Sequence, residues 1–296
     1  MSKIKMGNAF RTGLGGLLIL CLAGVQTHAQ ERGRAPTPPP IEPSNLFSIP
    51  AGRVTRSLDL DITASGLFLG EGSSLPTGTS AVLGLGDIAE VELGSMGLGS
   101  SFRGKGELQT VPTGGLKVYL PMWKYWHGVA AAFRRSGTHT EMIDGVEYKK
   151  RVGNFLVVGT LANFLTPEEG NRPSAGWKGI KIKTHMGVTY IDPNMTPEID
   201  NARGFWRPFG GFEMWRKDAR ARIMAELDWT ADFSETQVKD IWMMTGGVRF
   251  FFSKHVVADI GVRYQSNYSG LSESVIHSKL RMSLPTHLIR ERVIGL

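Results

Sequence analysis

Residues 222–233 read RIMAELDWTADF, a run in which, apart from Met224, charged or hydroxyl side chains alternate with apolar ones. A period of two residues places one class on each face of a β-strand, and no α-helix produces it. The alternation recurs through five consecutive predicted strands between Phe205 and Pro285. In a soluble protein the apolar faces would need a second layer to cover them, and the sequence has no helical pattern for that layer. The stretch therefore predicts the strands of a membrane-spanning barrel.

The N-terminus predicts export from the cytoplasm. Lys3, Lys5 and Arg11 precede an apolar run from Leu14 to Val25, and Thr27-His28-Ala29 is a plausible cleavage site. We interpret residues 1–29 as a signal peptide, because a bilayer span needs about 20 apolar residues. The alternative is that this run is a single membrane anchor.

Charge and cysteine content exclude several classes of function. The chain has 296 residues and a formal charge of +7, and removal of the three basic residues of the signal peptide leaves 7 − 3 = +4. This small excess is not typical of a nucleic-acid-binding protein. Cys21, the one cysteine, lies in the signal peptide, so the mature chain is predicted to have no disulfide, thiolate metal site or thiol nucleophile.

The rest of the chain divides into three parts. Residues 30–50 are rich in proline and predict an extended periplasmic tether. Residues 51–285 predict one all-β domain, an antiparallel meander barrel of about twelve strands, and residues 286–296 form a C-terminal tail. The first predicted strand begins at Ser57, and the others lie at about 79–86, 88–98, 115–123, 127–137, 153–164, 178–191, 205–217, 220–233, 239–253, 255–267 and 273–285.

The connections between these strands alternate between short and long. Short ones include Gly86-Asp87 and Ser253-Lys254, and long ones include 99–114 and 138–152. Outer-membrane barrels have short periplasmic turns and longer extracellular loops, which predicts that both ends of the mature chain lie in the periplasm. The connections at 165–177 and 234–238 are exceptions to the alternation.

Aromatic residues on the predicted outward face cluster near the strand ends. Aromatic rings prefer the two headgroup levels of a bilayer, so this clustering predicts a double membrane girdle. The alternative is that aromatic residues simply favour strands. The predicted girdle consists of Trp123, Trp126, Trp206, Trp229, Trp242, Phe250, Phe252 and Tyr264.

In these features the chain resembles the porin-like outer-membrane β-barrel proteins of Gram-negative bacteria over about residues 46–285. The resemblance is carried by the signal peptide, by Ile49-Pro50-Ala51-Gly52 before the first strand, and by the hairpin LGLGDIAEVELG at 83–94. It implies a fold, a membrane and the barrel-assembly machinery as a partner, but no substrate. The chain departs from the pattern at its end, because Pro285 stops the last strand where such proteins finish on an aromatic residue.

The inward faces carry nearly balanced charge, with ten basic and nine acidic side chains. Such a lumen predicts a narrow conduit for an unidentified small polar solute. A non-conducting structural or adhesive barrel is the alternative, since paired buried charges can be purely structural. The predicted lumen charge ladder consists of Asp59, Asp61, Lys117, Arg134, Lys181, Lys183, Arg222, Glu226, Asp228, Arg249, Asp259, Arg263, Lys279 and Arg281.

Catalytic chemistry has weak support in the sequence. Lipid-modifying hydrolases of the outer membrane are the rival class, but Ser266 and Ser269 have Gln265 where a base is wanted. His185 and His277 are predicted to be hydrogen-bonding lumen residues. We therefore predict no catalytic residues, no metal, no cofactor and no enzymatic activity, with outer-membrane lipid and lipopolysaccharide phosphates as contacts of the loops.

Overall fold

The fold is described here from a computed structural model of the chain. The structure describes residues 42–68, 74–98, 109–120, 126–162, 180–197, 203–216, 219–234 and 237–286. The predicted signal peptide, residues 30–41 of the predicted tether and the tail beyond residue 286 lie outside these ranges. No helix within them is long and apolar enough to cross a membrane.

The described residues form thirteen β-strands and a single short 3₁₀ turn, Leu271–Glu273. Most of the strands have the roughly ten residues that a tilted strand needs to cross a bilayer. The strands are β1 Asp59–Phe68, β2 Ser74–Leu85, β3 Ala89–Leu98, β4 Gln109–Leu120, β5 Trp126–Ser136, β6 His139–Ile143, β7 Val146–Ala162, β8 Ile180–Thr196, β9 Phe205–Arg216, β10 Ala221–Ser234, β11 Gln237–Phe251, β12 Val256–Gln265 and β13 Val275–Pro285.

Twelve of the strands close into a ring. Neighbours in sequence pair antiparallel, β1 pairs with β13 from Asp59↔Pro285 to Phe68↔Ile276, and β5 pairs directly with β7. The remaining strand, β6, forms a hairpin with the start of β7. The predicted all-β, twelve-stranded antiparallel meander barrel is therefore confirmed.

The alternation of side chains gives the ring an apolar outside and a polar inside. On β10 the outward Leu227 is 42% exposed, whereas the inward Glu226 is 3% exposed. The same contrast separates Ile260 and Val262 of β12, which are exposed, from the buried Arg263. Apolar side chains on a closed ring of this kind face lipid, so the alternation gives the wall its membrane-facing surface.

The strands extend further than predicted at one end of the barrel, which we call the loop end. The predicted long connection at 138–152 contains β6 and the first residues of β7, joined at Asp144 and Gly145, which have φ angles of 49° and 78°. Positive φ at both central residues is the requirement of a tight hairpin turn. The opposite end, which carries the short connections 86–88 and 252–255, is called the turn end.

Part of the mouth at the loop end is filled by an apolar cluster, which we call the cap. Val111, Val152, Ile191, Met195, Phe233 and Val238 are all buried in it. The ladder between β9 and β10 ends at Leu227↔Gly210, so the far end of β10 leaves the wall and packs toward β4, β7 and β8. Trp229, predicted to be in the membrane girdle, packs against this cap instead, because it lies on the part of β10 that has left the wall.

Candidate functional site

The lumen of the barrel is occupied by the chain's own residues 42–56, which we call the plug. Its tip is a tight loop in which Asn45 bridges Pro50 and the Leu46 N–H donates to the Ile49 carbonyl at 2.9 Å. Leu46, Phe47 and Ile49 are each 3% exposed or less. They pack with inward residues of β5, β7, β9 and β10, including Ala130 and Met224. Residues 42–50 were expected to be part of an extended periplasmic tether, and they lie inside the barrel instead.

Glycines on the inward face of the wall make room for the plug. A Cβ atom on Gly261 would lie 2.8 Å from the Phe47 ring, and one on Gly211 would lie 3.0 Å from both Leu46 and Ile49. The Gly52 carbonyl comes equally close to Gly128, where an added Cβ would lie 2.7 Å from it. Glycine inside a strand often marks close approach of another backbone, and here that backbone is the plug.

The turn at the tip of the plug is held by Glu226. The backbone N–H of Ser48 donates to Glu226 Oε1 at 2.8 Å and to Oε2 at 2.9 Å, and the N–H of Ile49 donates to Oε2 at 3.3 Å. Arg263 Nη2 donates to the Ser48 hydroxyl at 2.6 Å. These charge-assisted bonds provide acceptors for backbone N–H groups of the turn inside the lumen.

Cations of β11 and β13 bind carbonyl oxygens of the plug. Lys279 Nζ donates to the Leu46 and Phe47 carbonyls at 3.2 and 3.1 Å, and Arg249 Nη2 donates to the Asn45 carbonyl at 3.0 Å. Asp259 holds Arg249 in place with bonds of 2.7 and 2.8 Å. The wall therefore binds both backbone N–H groups and backbone carbonyl groups of the plug.

Nine of the fourteen residues of the predicted lumen charge ladder bond directly to the plug. They are Asp61, Lys117, Lys183, Arg222, Glu226, Arg249, Arg263, Lys279 and Arg281. Of the other five, Asp259 pairs with Arg249 and Arg134 pairs with Glu92 at 2.8 Å. Asp59 is buried in the lumen, and Lys181 and Asp228 are half-buried.

A network of five charged side chains joins the base of the plug to the wall. Glu42 lies within 3.2 Å of Arg53, Lys183 and Arg222, and Arg53 and Arg222 both reach Glu213 at 2.9 Å. Burial alone would raise the pKa of Glu42, but the three cations lower the pKa to about 2. Glu42 therefore remains ionised in the docked plug.

A hydroxyl, an imidazole and a carboxylate form a chain beside this network. Thr160 Oγ1 lies 2.8 Å from His185 Nδ1, and His185 Nε2 lies 3.2 Å from Glu213 Oε1. The N–H of Gly52 donates to Thr160 Oγ1 at 2.7 Å, and all three wall side chains are 1% exposed or less. The order matches that of a nucleophile, a base and an orienting acid, covered by the plug. Sequence reasoning placed His185 in the lumen but missed Thr160 and Glu213 as its partners.

A cavity of about 320 Å³ with both polar and apolar lining lies on the loop-end side of the plug tip. Its wall combines charges of both signs with hydroxyl groups and amides, so it can hydrogen-bond both donors and acceptors of a solute. Lining residues are Asn45, Phe47 and Ser48 of the plug, with the polar residues Thr63, Ser65, Thr79, Ser80, Glu92, Ser95, Arg134, Thr230, Asp232, Arg263, Gln265, Asn267, His277 and Lys279 of the wall and the apolar or small residues Leu67, Gly78, Met96, Ala231, Ile241 and Met243.

The other predicted candidates lie apart from this cavity or have different partners. The Ser266 hydroxyl accepts from the Trp242 N–H at 3.2 Å, and Ser269 bonds to Glu273 in the adjoining turn. His277 Nδ1 faces Arg263 Nη2 at 2.9 Å. Among the described residues, no group of three or more His, Cys, Asp or Glu side chains is placed to hold a metal ion. The absence of a cofactor stays a prediction.

Most predicted girdle residues that the structure describes lie on the outer wall. Trp206, Phe250 and Phe252 are 56%, 36% and 65% exposed, and the rings of Trp242 and Tyr264 pack 5.5 Å apart. The backbone of Trp126 pairs with Leu161, whereas Trp123 lies outside the described residues.

A closed antiparallel ring with an apolar outer face and an ionic lumen defines an outer-membrane β-barrel protein. No family model matches the chain, and no curated protein matches it. Among solved structures it is similar to LpxR from Salmonella typhimurium, with 7% identity and a TM-score of 0.45 over 76% of this chain and 99% of LpxR.

Two further similar structures are also outer-membrane or translocator barrels. A loop L8 deletion mutant of OmpT, an outer membrane protein of Vibrio cholerae, has 11% identity and a TM-score of 0.37 over 76% of this chain and 98% of its own. The beta domain of the Bordetella autotransporter BrkA has 12% identity and a TM-score of 0.40 over 76% of this chain and 98% of its own. The comparison contradicts our prediction that the chain is not an enzyme, because the fold that it shares with these structures leaves its function unresolved.

Proposed function

We propose that this protein is a gated conduit for small polar solutes, which the plug closes. The observation that supports the proposal is the cavity at the plug tip, whose charged and hydroxyl side chains adjoin a plug held in the lumen only by non-covalent bonds. Displacement of the plug would free nine charged side chains of the lumen to contact water and solute. Rings of charge of this kind select and conduct ions and polar molecules.

The loop end faces the cell exterior in this proposal, and the plug enters from the periplasm. The support is the distribution of connections, because the short turns at 86–88 and 252–255 lie at the end where the plug joins β1. A membrane-impermeant label on intact cells should therefore reach a cysteine placed at Asp144 in the β6–β7 turn. Labelling of a cysteine at Lys254 instead would reverse the orientation.

Replacement of Gly52 by valine tests the gate. A Cβ at Gly52 would lie 2.5 Å from the Gly128 carbonyl oxygen and 2.9 Å from the Thr160 nitrogen, both of them backbone atoms of the wall. The Gly52→Val plug cannot seat, so we expect the purified variant to form channels in a planar bilayer far more often than the wild type. Gly246→Val is the matched control, since a Cβ there meets nothing within 4 Å.

Two outcomes of the bilayer experiment would contradict the conduit. The first is a Gly52→Val barrel that is folded, as judged by heat-modifiable migration on a gel, yet silent in the bilayer. The second is equal conductance of Gly52→Val, Gly246→Val and the wild type, which would mean that the plug does not gate.

A second candidate function is hydrolysis at Thr160, favoured by its geometry with His185 and Glu213. In this function, His185 Nδ1 accepts the Thr160 proton while Glu213 orients the ring, and displacement of Gly52 exposes the hydroxyl. A fluorophosphonate probe should then label the Gly52→Val protein, and the additional change Thr160→Val should abolish labelling. Labelling that survives Thr160→Val would remove Thr160 as the nucleophile.

A further inference from the structure

A row of four aromatic rings crosses the outer wall near the loop end. The register pairs Phe133 with Phe155, Phe155 with Tyr190, and Tyr190 with Trp206, so the four lie side by side on β5, β7, β8 and β9. All four point outward, and the rings of Tyr190 and Trp206 pack 5.1 Å apart. Such rings settle at the boundary between hydrocarbon and headgroups, which fixes the depth of this part of the wall.

Two arginines stand on the same outward face, on the loop-end side of the row. Arg135 follows Phe133 by two residues, and Arg151 precedes Phe155 by four on the antiparallel strand. At about 3.3 Å per residue, the two lie roughly 7 and 13 Å beyond the rings, at the level of lipid headgroups. Lys149 continues the same face of β7 toward the loop end.

The surroundings leave these arginines available to an anion. Arg135 lies between Gly114 and Gly153 in the register, and the space above both glycines is open, since an added Cβ would meet nothing nearer than 3.9 Å. Arg151 Nε donates to the neutral Asn194 at 3.1 Å. Within the described ranges no ion pair involves either arginine. Asp192 pairs with Gly153 and is the acidic residue at the same register level as Arg135.

We propose that Arg135 and Arg151 form a binding site on the outer wall for the phosphates of lipid A, with the acyl chains lying over the aromatic row below. Arginine suits this role because its guanidinium presents a planar fork of donors to phosphate oxygens. The open strip between Gly114 and Gly153 lets a headgroup approach Arg135 from the side. The glycolipid is the occupant because the proposed orientation places the loop end in the outer leaflet.

Binding of purified lipids to the detergent-solubilised barrel tests this site, with native mass spectrometry as the readout. We expect bisphosphorylated lipid A to bind at least tenfold more tightly than its dephosphorylated form. The double variant Arg135→Gln/Arg151→Gln should lose most of that difference, and Arg216→Gln, an exposed arginine on the outer wall at the turn end, should keep it. Heat-modifiable migration confirms that each variant is folded.

Three results would overturn the proposal. One is equal affinity of the wild type for the phosphorylated and dephosphorylated lipids. The second is an equal loss on Arg216→Gln, which would indicate non-specific charge attraction. The third is binding of phosphatidylglycerol as tight as that of lipid A, which would assign the patch to ordinary anionic phospholipid. None of these measurements depends on conductance, so the site can fail or stand separately from the proposed gate.

Discussion

Glu226 is the residue on which the plug tip depends most directly. It accepts three N–H contacts from Ser48 and Ile49 inside the lumen, and a buried donor left without an acceptor costs about 1–3 kcal/mol. We expect Glu226→Ala to lower the free energy of unfolding in urea by about 3 kcal/mol. Glu226→Gln keeps an acceptor oxygen and should lose about half as much.

The matched control for Glu226 is Glu147, whose ion pair with Lys149 is more than half exposed on both sides. Glu147→Gln should change the free energy of unfolding by less than about 1 kcal/mol, because exposed ion pairs contribute little. Equal effects of Glu226→Gln and Glu147→Gln would mean that Glu226 does not anchor the plug.

We expect Glu42 to make docking of the plug sensitive to acid. Its pKa is lowered from 4.5 in the free chain to about 2 in the docked plug, so its ionised form stabilises docking. That stabilisation is complete above pH 4.5 and disappears as the pH falls from 4.5 toward 2. We expect channel openings in a bilayer to become more frequent over this range.

The variant Glu42→Gln provides the control for this pH dependence. It cannot ionise, so it should open more often than the wild type at neutral pH and should lack the increase between pH 4.5 and 2. An unchanged acid response in Glu42→Gln would assign the response to other groups.

At the scale of strands, the cap and the plug would be two barriers in series in the proposed conduit. Phe233 is 1% exposed in the cap, and truncation of a buried phenylalanine to alanine costs about 3–5 kcal/mol. We expect Phe233→Ala alone to conduct little, because the plug remains. The combination Phe233→Ala/Gly52→Val should conduct more than Gly52→Val, as measured by single-channel recording.

Phe252 is the control for the cap, since it is an aromatic residue that is 65% exposed at the turn end. Phe252→Ala should leave the conductance of Gly52→Val unchanged. A double variant that conducts no more than Gly52→Val would show that the cap does not obstruct the pore.

The strands were predictable because each residue had only two faces available to it. On β10 the charges of Arg222 and Glu226 identify the lumen face and Leu227 identifies the lipid face. This assignment needs no information about distant parts of the chain. The hairpin of β6 and β7 was missed although Asp144-Gly145 is a strong hairpin signal, because the surrounding residues were interpreted as one solvated loop.

The plug could not be predicted from periodicity, because residues 42–56 have none. Its contacts join positions up to 236 residues apart, as between Asn45 and Arg281, and a single sequence carries no record of such pairs. The available signal was the inward glycines Gly128, Gly211 and Gly261, which leave space on a wall otherwise lined with large side chains. The charged residues of the lumen could be predicted from the sequence, but the plug backbone that they bind could not.

At the scale of the whole molecule, the two strands that close the ring, β1 and β13, are also connected to the plug. The plug continues directly into β1, β1 pairs with β13, and β13 carries Lys279 and Arg281, both of which bond to Asn45. The first and last parts of the barrel domain therefore meet in one place, in the wall and in the lumen at once. Pairing of β1 with β13 brings Lys279 and Arg281 into contact with the plug, which precedes them by more than 200 residues in the chain. We therefore expect the plug to dock when the β1–β13 pairing closes the ring, so that closure of the wall and closure of the lumen are one event.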